Sequence, residues 1–392
     1  MRRRLGLAAA AVLAVIPLLA ACSDGEFTPS PVDLVCPLQP GGPVTLAVGA
    51  RANSPLPVLP PAVVDLMREA AKQSQALSVV RVDGSPTVAF QGTFRTDAAN
   101  DVARDNELQA FITATTGHVA SLQPKTAEAD VLAALSEAAR ITPEGGTVVL
   151  IDSGLQTTGQ IRFQDAGAFG ANPDEFVQYL QTRSLMPRLT NRAVVLVGLG
   201  NTAEPQAALD PSQRSSVTSL WQTVATAGGA TCVQVVDTAA SRTSVTTDVP
   251  VTPVTLPTVP PFQPCGETIL TDDMVGFLPD QAVFRDPAAA RNTLQDLANV
   301  IVNGRQQVEL IGTTATAGPS EAGRVELSKR RAEAVKTVLV ELGIAADRIS
   351  TVGAGTSWPG RVNDIAPDGS LIPTAAAQNR AVVVRLSCPS TP

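Results

Sequence analysis

Residues 311–335, IGTTATAGPSEAGRVELSKRRAEAV, end in a Leu-Ser-x-x-Arg-Ala pattern that opens an amphipathic helix. A guanidinium fixed on such a helix can take a carboxylate in a planar, often bidentate pair. Arg331 is that guanidinium, and its plainer reading is a solvated helix residue or a surface ion pair. Other reactive groups are sparse. The chain holds one histidine, His118, so His-based metal sites and Ser-His-Asp or Cys-His catalysis have little to build on. Gly198-Leu199-Gly200-Asn201-Thr202-Ala203 fits Gly-x-Gly-x-x-Ala, a dinucleotide fingerprint, after a strand. It should open a helix at a first βα turn, yet Pro205 and Pro211 interrupt the next segment and it lies late in the block, so we read a loop. Without a nucleophile–base pair or a phosphate loop, the expectation is a non-enzymatic protein with no cofactor. A hydrolase or nucleotide-dependent activity in the N-terminal half is the alternative.

The elements that must position these groups are bounded by composition. A chain of 392 residues exceeds one typical core and implies two or three domains. A hydrophobic content of 44% is that of a globular chain. A net charge of −7 with no basic patch argues against nucleic acid as a partner. At the start, MRRRLGLAAAAVLAVIPLLAAC joins three arginines to an apolar run of roughly 17 residues, short for a membrane span of about 20. Leu19-Ala20-Ala21-Cys22 resembles the lipobox of bacterial lipoproteins, which implies removal of residues 1–21 and acylation of Cys22. Two or more acyl chains there would give stable anchoring to the outer side of the cell membrane. In that oxidising setting Cys36, Cys232, Cys265 and Cys388 can pair in three ways. Cys36 and Cys232 bracket one globular block and Cys265 and Cys388 another, so the expected bridges are Cys36–Cys232 and Cys265–Cys388.

Residues 22–43 read as a tether. Over 44–240 strand and helix patterns alternate: VTLAVGA, a helix over 60–76, a hairpin around Asp83-Gly84-Ser85, a long helical region ending in 126–141, then GTVVLIDSG, NRAVVLVGLG and ATCVQVVDT, with a helix near 211–227. Apolar runs without alternation fit strands buried on both faces, giving an α/β open-sheet sandwich. The order resembles a von Willebrand factor A-type domain. That family ends its first strand in Asp-x-Ser-x-Ser, adds a loop Thr and an Asp after the fourth strand, and binds a divalent cation. Here Asp152, Thr126 and Ser54 are the candidate matches, but the first strand runs into Gly49-Ala50-Arg51, and a guanidinium opposes a hard cation. The expected metal count is therefore none. Residues 241–265 form a Pro-rich linker, semi-rigid, that either separates the blocks or packs along one of them.

Beyond it, 266–388 reads as an α+β module with a four-residue tail, 389–392, and it resembles the OmpA-like domain over nearly all of 267–387. The carriers are Gly312, Gly318, Leu327-Ser328-x-x-Arg331-Ala332-x-x-Val335, Leu342-Gly343-Ile344, Gly353-x-Gly355 and Asn379-Arg380. The resemblance implies a soluble peptidoglycan-associating module in which an Asp grips the ammonium of diaminopimelate, the motif Arg grips its carboxylate, and an Asn assists. The Arg is Arg331, but the Asp position falls on Ala315 and the Asn position on Arg324. Either Glu321 or Glu326 supplies the missing acid, or the module keeps the fold and binds something else. Asn379 and Arg380 are further candidate contacts. The expectation is a lipid-anchored envelope protein with a binding or scaffolding role toward peptidoglycan or an envelope protein, carrying a degenerate peptidoglycan site. Competent wall attachment through Arg331 is the rival.

Overall fold

The computed structural model describes residues 33–37, 39–238, 242–302, 306–318 and 320–387. Cys22 and Cys388 lie outside them, and with them the acylation site and the Cys265–Cys388 bridge expected above. The first block runs β1 (Val44–Val48), α1 (Pro61–Lys72), β2 (Ala76–Arg81), β3 (Thr87–Thr93), α2 (Asp101–Ala120), α3 (Val131–Ile141), β4 (Thr147–Ile151), α4 (Pro173–Thr182), β5 (Ala193–Val197), α5 (Pro211–Ala227) and β6 (Cys232–Val236). Its six strands lie in the order β3-β2-β1-β4-β5-β6, with β3 antiparallel to β2 and the remaining pairs parallel. Every residue of β1, β4 and β5 is buried, which is why these runs carry no polar alternation.

The pleat sends alternate side chains of one strand into two cores. Leu46, Val149 and Val195 meet α1 and α2 through Met67, Ala70, Leu108 and Ile112. Ala47, Val148, Leu150 and Leu196 meet α3, α4 and α5 through Leu135, Phe176, Leu180 and Trp221. A Cys36–Cys232 disulfide, the bridge expected from sequence, ties the entry of this block to its last strand. The Pro-rich segment does not stand off as a spacer. Val251 and Val254 are buried, Asn53 donates to the Val251 carbonyl at 2.8 Å, and Gln206 both accepts from Val254 N at 2.7 Å and donates to its carbonyl at 3.1 Å.

The C-terminal module runs β7 (Gly266–Thr271), α6 (Pro287–Val302), β8 (Val308–Gly312), α7 (Glu321–Glu341), a 3-10 turn at Ala346–Arg348, β9 (Ile349–Gly353), α8 (Pro373–Asn379) and β10 (Ala381–Leu386). The sheet order is β7-β10-β8-β9, with β10 antiparallel to both neighbours and β8 parallel to β9. One face is covered by α6 and α7, through Leu294, Leu297, Val335 and Leu339. The segment before the last strand contains α8, whose Ala375–Ala377 are buried. Polar contacts join the module to the first block. Arg183 pairs with Asp368 at 3.0 Å, Arg285 donates to the Gly170 carbonyl at 3.1 Å, Gln378 donates to the Ala166 carbonyl at 2.8 Å, and Arg380 pairs with Glu175.

Candidate functional site

Helix α7 is capped by Ser320, whose hydroxyl accepts from Gly323 N at 3.1 Å. It lies unusually close to the sheet because two glycines face it. A Cβ on Gly312 would sit 1.8 Å from the Ser328 carbonyl oxygen, and one on Gly353 would sit 2.2 Å from that of Val325. Ser328 completes the seat: its hydroxyl donates to the Val325 carbonyl and accepts from Gly355 N at 3.1 Å. The Leu-Ser-x-x-Arg-Ala pattern thus uses its Ser to dock the helix and its Arg, three residues on, to line a pocket.

That pocket, of about 980 Å³, lies between the C-terminal module and α4 and α5 of the first block. Arg331 is 3% exposed. Its Nε donates to the Gln281 carbonyl at 3.0 Å and its Nη2 to the Leu278 carbonyl at 3.3 Å. Its guanidinium carbon lies 5.2 Å from the centre of the Phe277 ring. The remaining nitrogen, Nη1, makes no hydrogen bond to the described residues. No carboxylate among the described residues forms an ion pair with Arg331. Burial, with the Arg380 and Arg285 charges nearby, lowers its pKa to about 10, while Asp272 and Asp280 pull the other way. It stays a cation at neutral pH.

Carboxylates reach the pocket from two directions. Asp272, Asp280 and Asp286 belong to the module, and Asp174 and Glu175 come from α4 in the first block. Glu175 pairs with Arg380, and its Oε2 is buried without a partner. Burial raises its pKa despite the Arg380 charge. The pocket therefore offers cations and acids side by side. Sequence reading missed Glu175, since nothing in Asn172-Pro173-Asp174-Glu175 marks it as facing an arginine 205 residues downstream.

The loop after β8 carries Ala315. Ala315 lines the pocket and is 2% exposed. The loop is held from behind by Asp364, which accepts from Thr316 N at 2.8 Å and from Thr316 Oγ1 at 2.6 Å, and pairs with Arg361. Burial would raise the Asp364 pKa, but these donors hold it below the ordinary value. Arg324 donates from Nη1 to the carbonyls of Thr316 and Gly318, so it clamps the same loop. Glu321 accepts from Thr356 N and Oγ1 and pairs with Arg324 at 3.0 Å, and it does not line the pocket. Glu326 lies 3.6 Å from Arg330. Asn379, fully buried, exchanges hydrogen bonds with Val362 N and O and orders the chain before β10.

At the C-terminal edge of the first sheet, Asp152 and Ser54 line a small cavity, and Thr126 does not. Thr126 accepts from Ser85 N and donates its own N–H to Asp83. Asp152 is bonded through Oδ1 to Arg51 Nη2 at 2.8 Å and to Gly154 N at 2.7 Å. A guanidinium thus sits on the carboxylate that a cation would need, and this set does not fit a divalent metal. Among the described residues no group of three or more His, Cys, Asp or Glu could hold a metal ion. His118 is exposed near the end of α2 and stacks on Phe90 at 4.7 Å.

Residues 277–368 match the OmpA family. The photosystem I P700 chlorophyll a apoprotein A2 of Gloeobacter violaceus is 32% identical over 121 residues, which are 29% of this chain and 14% of that protein's length. Among solved structures, a putative MotB-like protein from Desulfovibrio vulgaris is 20% identical with a TM-score of 0.26, over 31% of this chain and 75% of that one. The peptidoglycan-associated lipoprotein from Burkholderia pseudomallei is 21% identical with a TM-score of 0.24, over 30% of this chain and 89% of that one.

Proposed function

We propose that this protein is a non-enzymatic cell-envelope protein that holds the peptide of peptidoglycan in the Arg331 pocket, with a lipid on Cys22 anchoring it to the membrane. One observation carries the reading: a buried, charged arginine, at the family's carboxylate-gripping position, keeps one nitrogen unbonded beside a large pocket. Arg331 is the carboxylate contact, and the acids lining the pocket for an ammonium, where Ala315 offers none, are Asp174, Glu175, Asp272, Asp280 and Asp286. Of these, Glu175 is paired with Arg380 and Asp272 with Arg285. The OmpA family match over 277–368 supports this assignment. The first block, with its doubly wound order and single antiparallel strand, supports a von Willebrand factor A-like reading in which Arg51 replaces a metal.

Ala315 and Arg324 favour a second reading, a wall-facing scaffold whose site no longer takes the peptide. Sedimentation with purified peptidoglycan separates the two. Wild type pelleting with the wall and Arg331→Ala remaining in the supernatant supports binding through the pocket. Equal behaviour of the two proteins supports the scaffold.

A further inference from the structure

The wall of the pocket opposite the C-terminal module is built by α5, and that wall is a row of hydroxyls. Ser212, Ser215, Ser216, Ser219 and Thr223 recur at three- and four-residue spacing, so they share one side of the helix, and all five line the pocket. The opposite side of α5 carries Val217, Leu220, Trp221 and Val224 into the core of the first block. None of the five hydroxyls makes a hydrogen bond to the described residues. Each can donate one and accept two.

A row of small hydroxyl residues alone would be a solvated helix face. Here it lines the same pocket as Arg331, a side chain more than nine-tenths buried whose Nη1 is unpartnered. The volume, about 980 Å³, is at the upper end of the range for sites that enclose a drug-sized ligand. A pocket of that volume has room for more than one amino-acid head group on Arg331.

We infer that α5 is a second subsite of the binding pocket, taking the hydroxyl-rich sugar of a sugar-linked peptide whose carboxylate sits on Arg331. This rests on the peptidoglycan reading above and extends it: the first block forms half of the wall-binding site. Hydroxyl side chains suit a sugar because they exchange donor and acceptor roles with it, and the arginine suits the acid because its fork is fixed.

The test uses the full chain with two probes, a disaccharide-linked stem peptide and the same stem peptide without sugar, titrated by calorimetry. Wild type is expected to bind the sugar-linked probe about tenfold more tightly, the ratio that corresponds to about 1.4 kcal/mol. Ser215→Ala/Ser219→Ala should reduce that ratio to below about twofold while leaving the affinity for the free peptide unchanged. Alanine is the better helix former, so the variant folds, and thermal unfolding checks it. Arg331→Ala should lose both probes. A double serine variant that keeps the wild-type sugar preference, or a wild type with no preference, overturns the inference and leaves the peptide reading standing. A wild type that binds neither probe overturns both.

Discussion

Arg51 and Arg331 are both buried, and their surroundings resolve that cost in opposite ways. Arg51 is neutralised inside the first block by Asp152 at 2.8 Å, and the two side chains are 1% and 0% exposed. Arg331 has carbonyls on two nitrogens and a pocket beside the third. Removing one member of a buried pair strands the other charge, so Arg51→Ala should destabilise the fold by about 3–5 kcal/mol, read by urea unfolding. Arg51→Met/Asp152→Leu should recover most of that loss, because neither charge is then left buried. A double variant no better than Arg51→Ala would contradict the pairing. The arginine of the Leu-Ser-x-x-Arg-Ala pattern was legible because its motif is local. Glu175, Asp364 and the α5 hydroxyls were not, since their meaning arises only when segments distant in sequence meet.

Between elements, close approach decides stability. Gly312 and Gly353 allow α7 to lie against β8 and β9, and a methyl group at either position would press on helix backbone that cannot rotate away. Gly312→Ala should cost about 1–3 kcal/mol, measured as a fall in the denaturant midpoint at unchanged slope. The Cys36–Cys232 bridge spans 196 residues of sequence, and Cys36→Ser/Cys232→Ser should cost about 2–4 kcal/mol in the same assay. Long apolar runs made β1, β4 and β5 readable from sequence, because strands buried on both faces need no polar residues. Two helices escaped that reading. In α4 three buried apolar side chains lie between polar ones, and α8 is seven residues, too short to show a period. The Pro-rich segment left two options open from composition, and only tertiary contacts with Asn53 and Gln206 select packing along the first block.

Across the whole molecule, the first block and the C-terminal module meet through groups that respond to pH. Asp273, packed against the Gly167–Gly170 turn, has its pKa raised from an ordinary 3.8 to about 6 by burial, with Asp272 adding to the rise and the Gly170 and Gly167 amides opposing it. Its protonated form is the one the folded state favours. Stability from this group is full below about pH 4 and is lost as pH rises through about 6. Glu175 shifts in the same direction, with burial the main cause, so it too favours the folded state on acidification. Asp273→Asn should raise the Tm at pH 7.5 and flatten the difference between pH 4.5 and pH 7.5. An unchanged difference would contradict this account.

Arg331 is proposed to hold a peptide carboxylate in a pocket shared by both parts of the molecule. Titration of the full chain with a diaminopimelate-containing stem peptide tests it most directly. The account predicts saturable binding to wild type, weakened by a hundredfold or more (roughly 3 kcal/mol) in Arg331→Ala and by less in Glu175→Gln. Binding of the peptide to Arg331→Ala with wild-type affinity would contradict it.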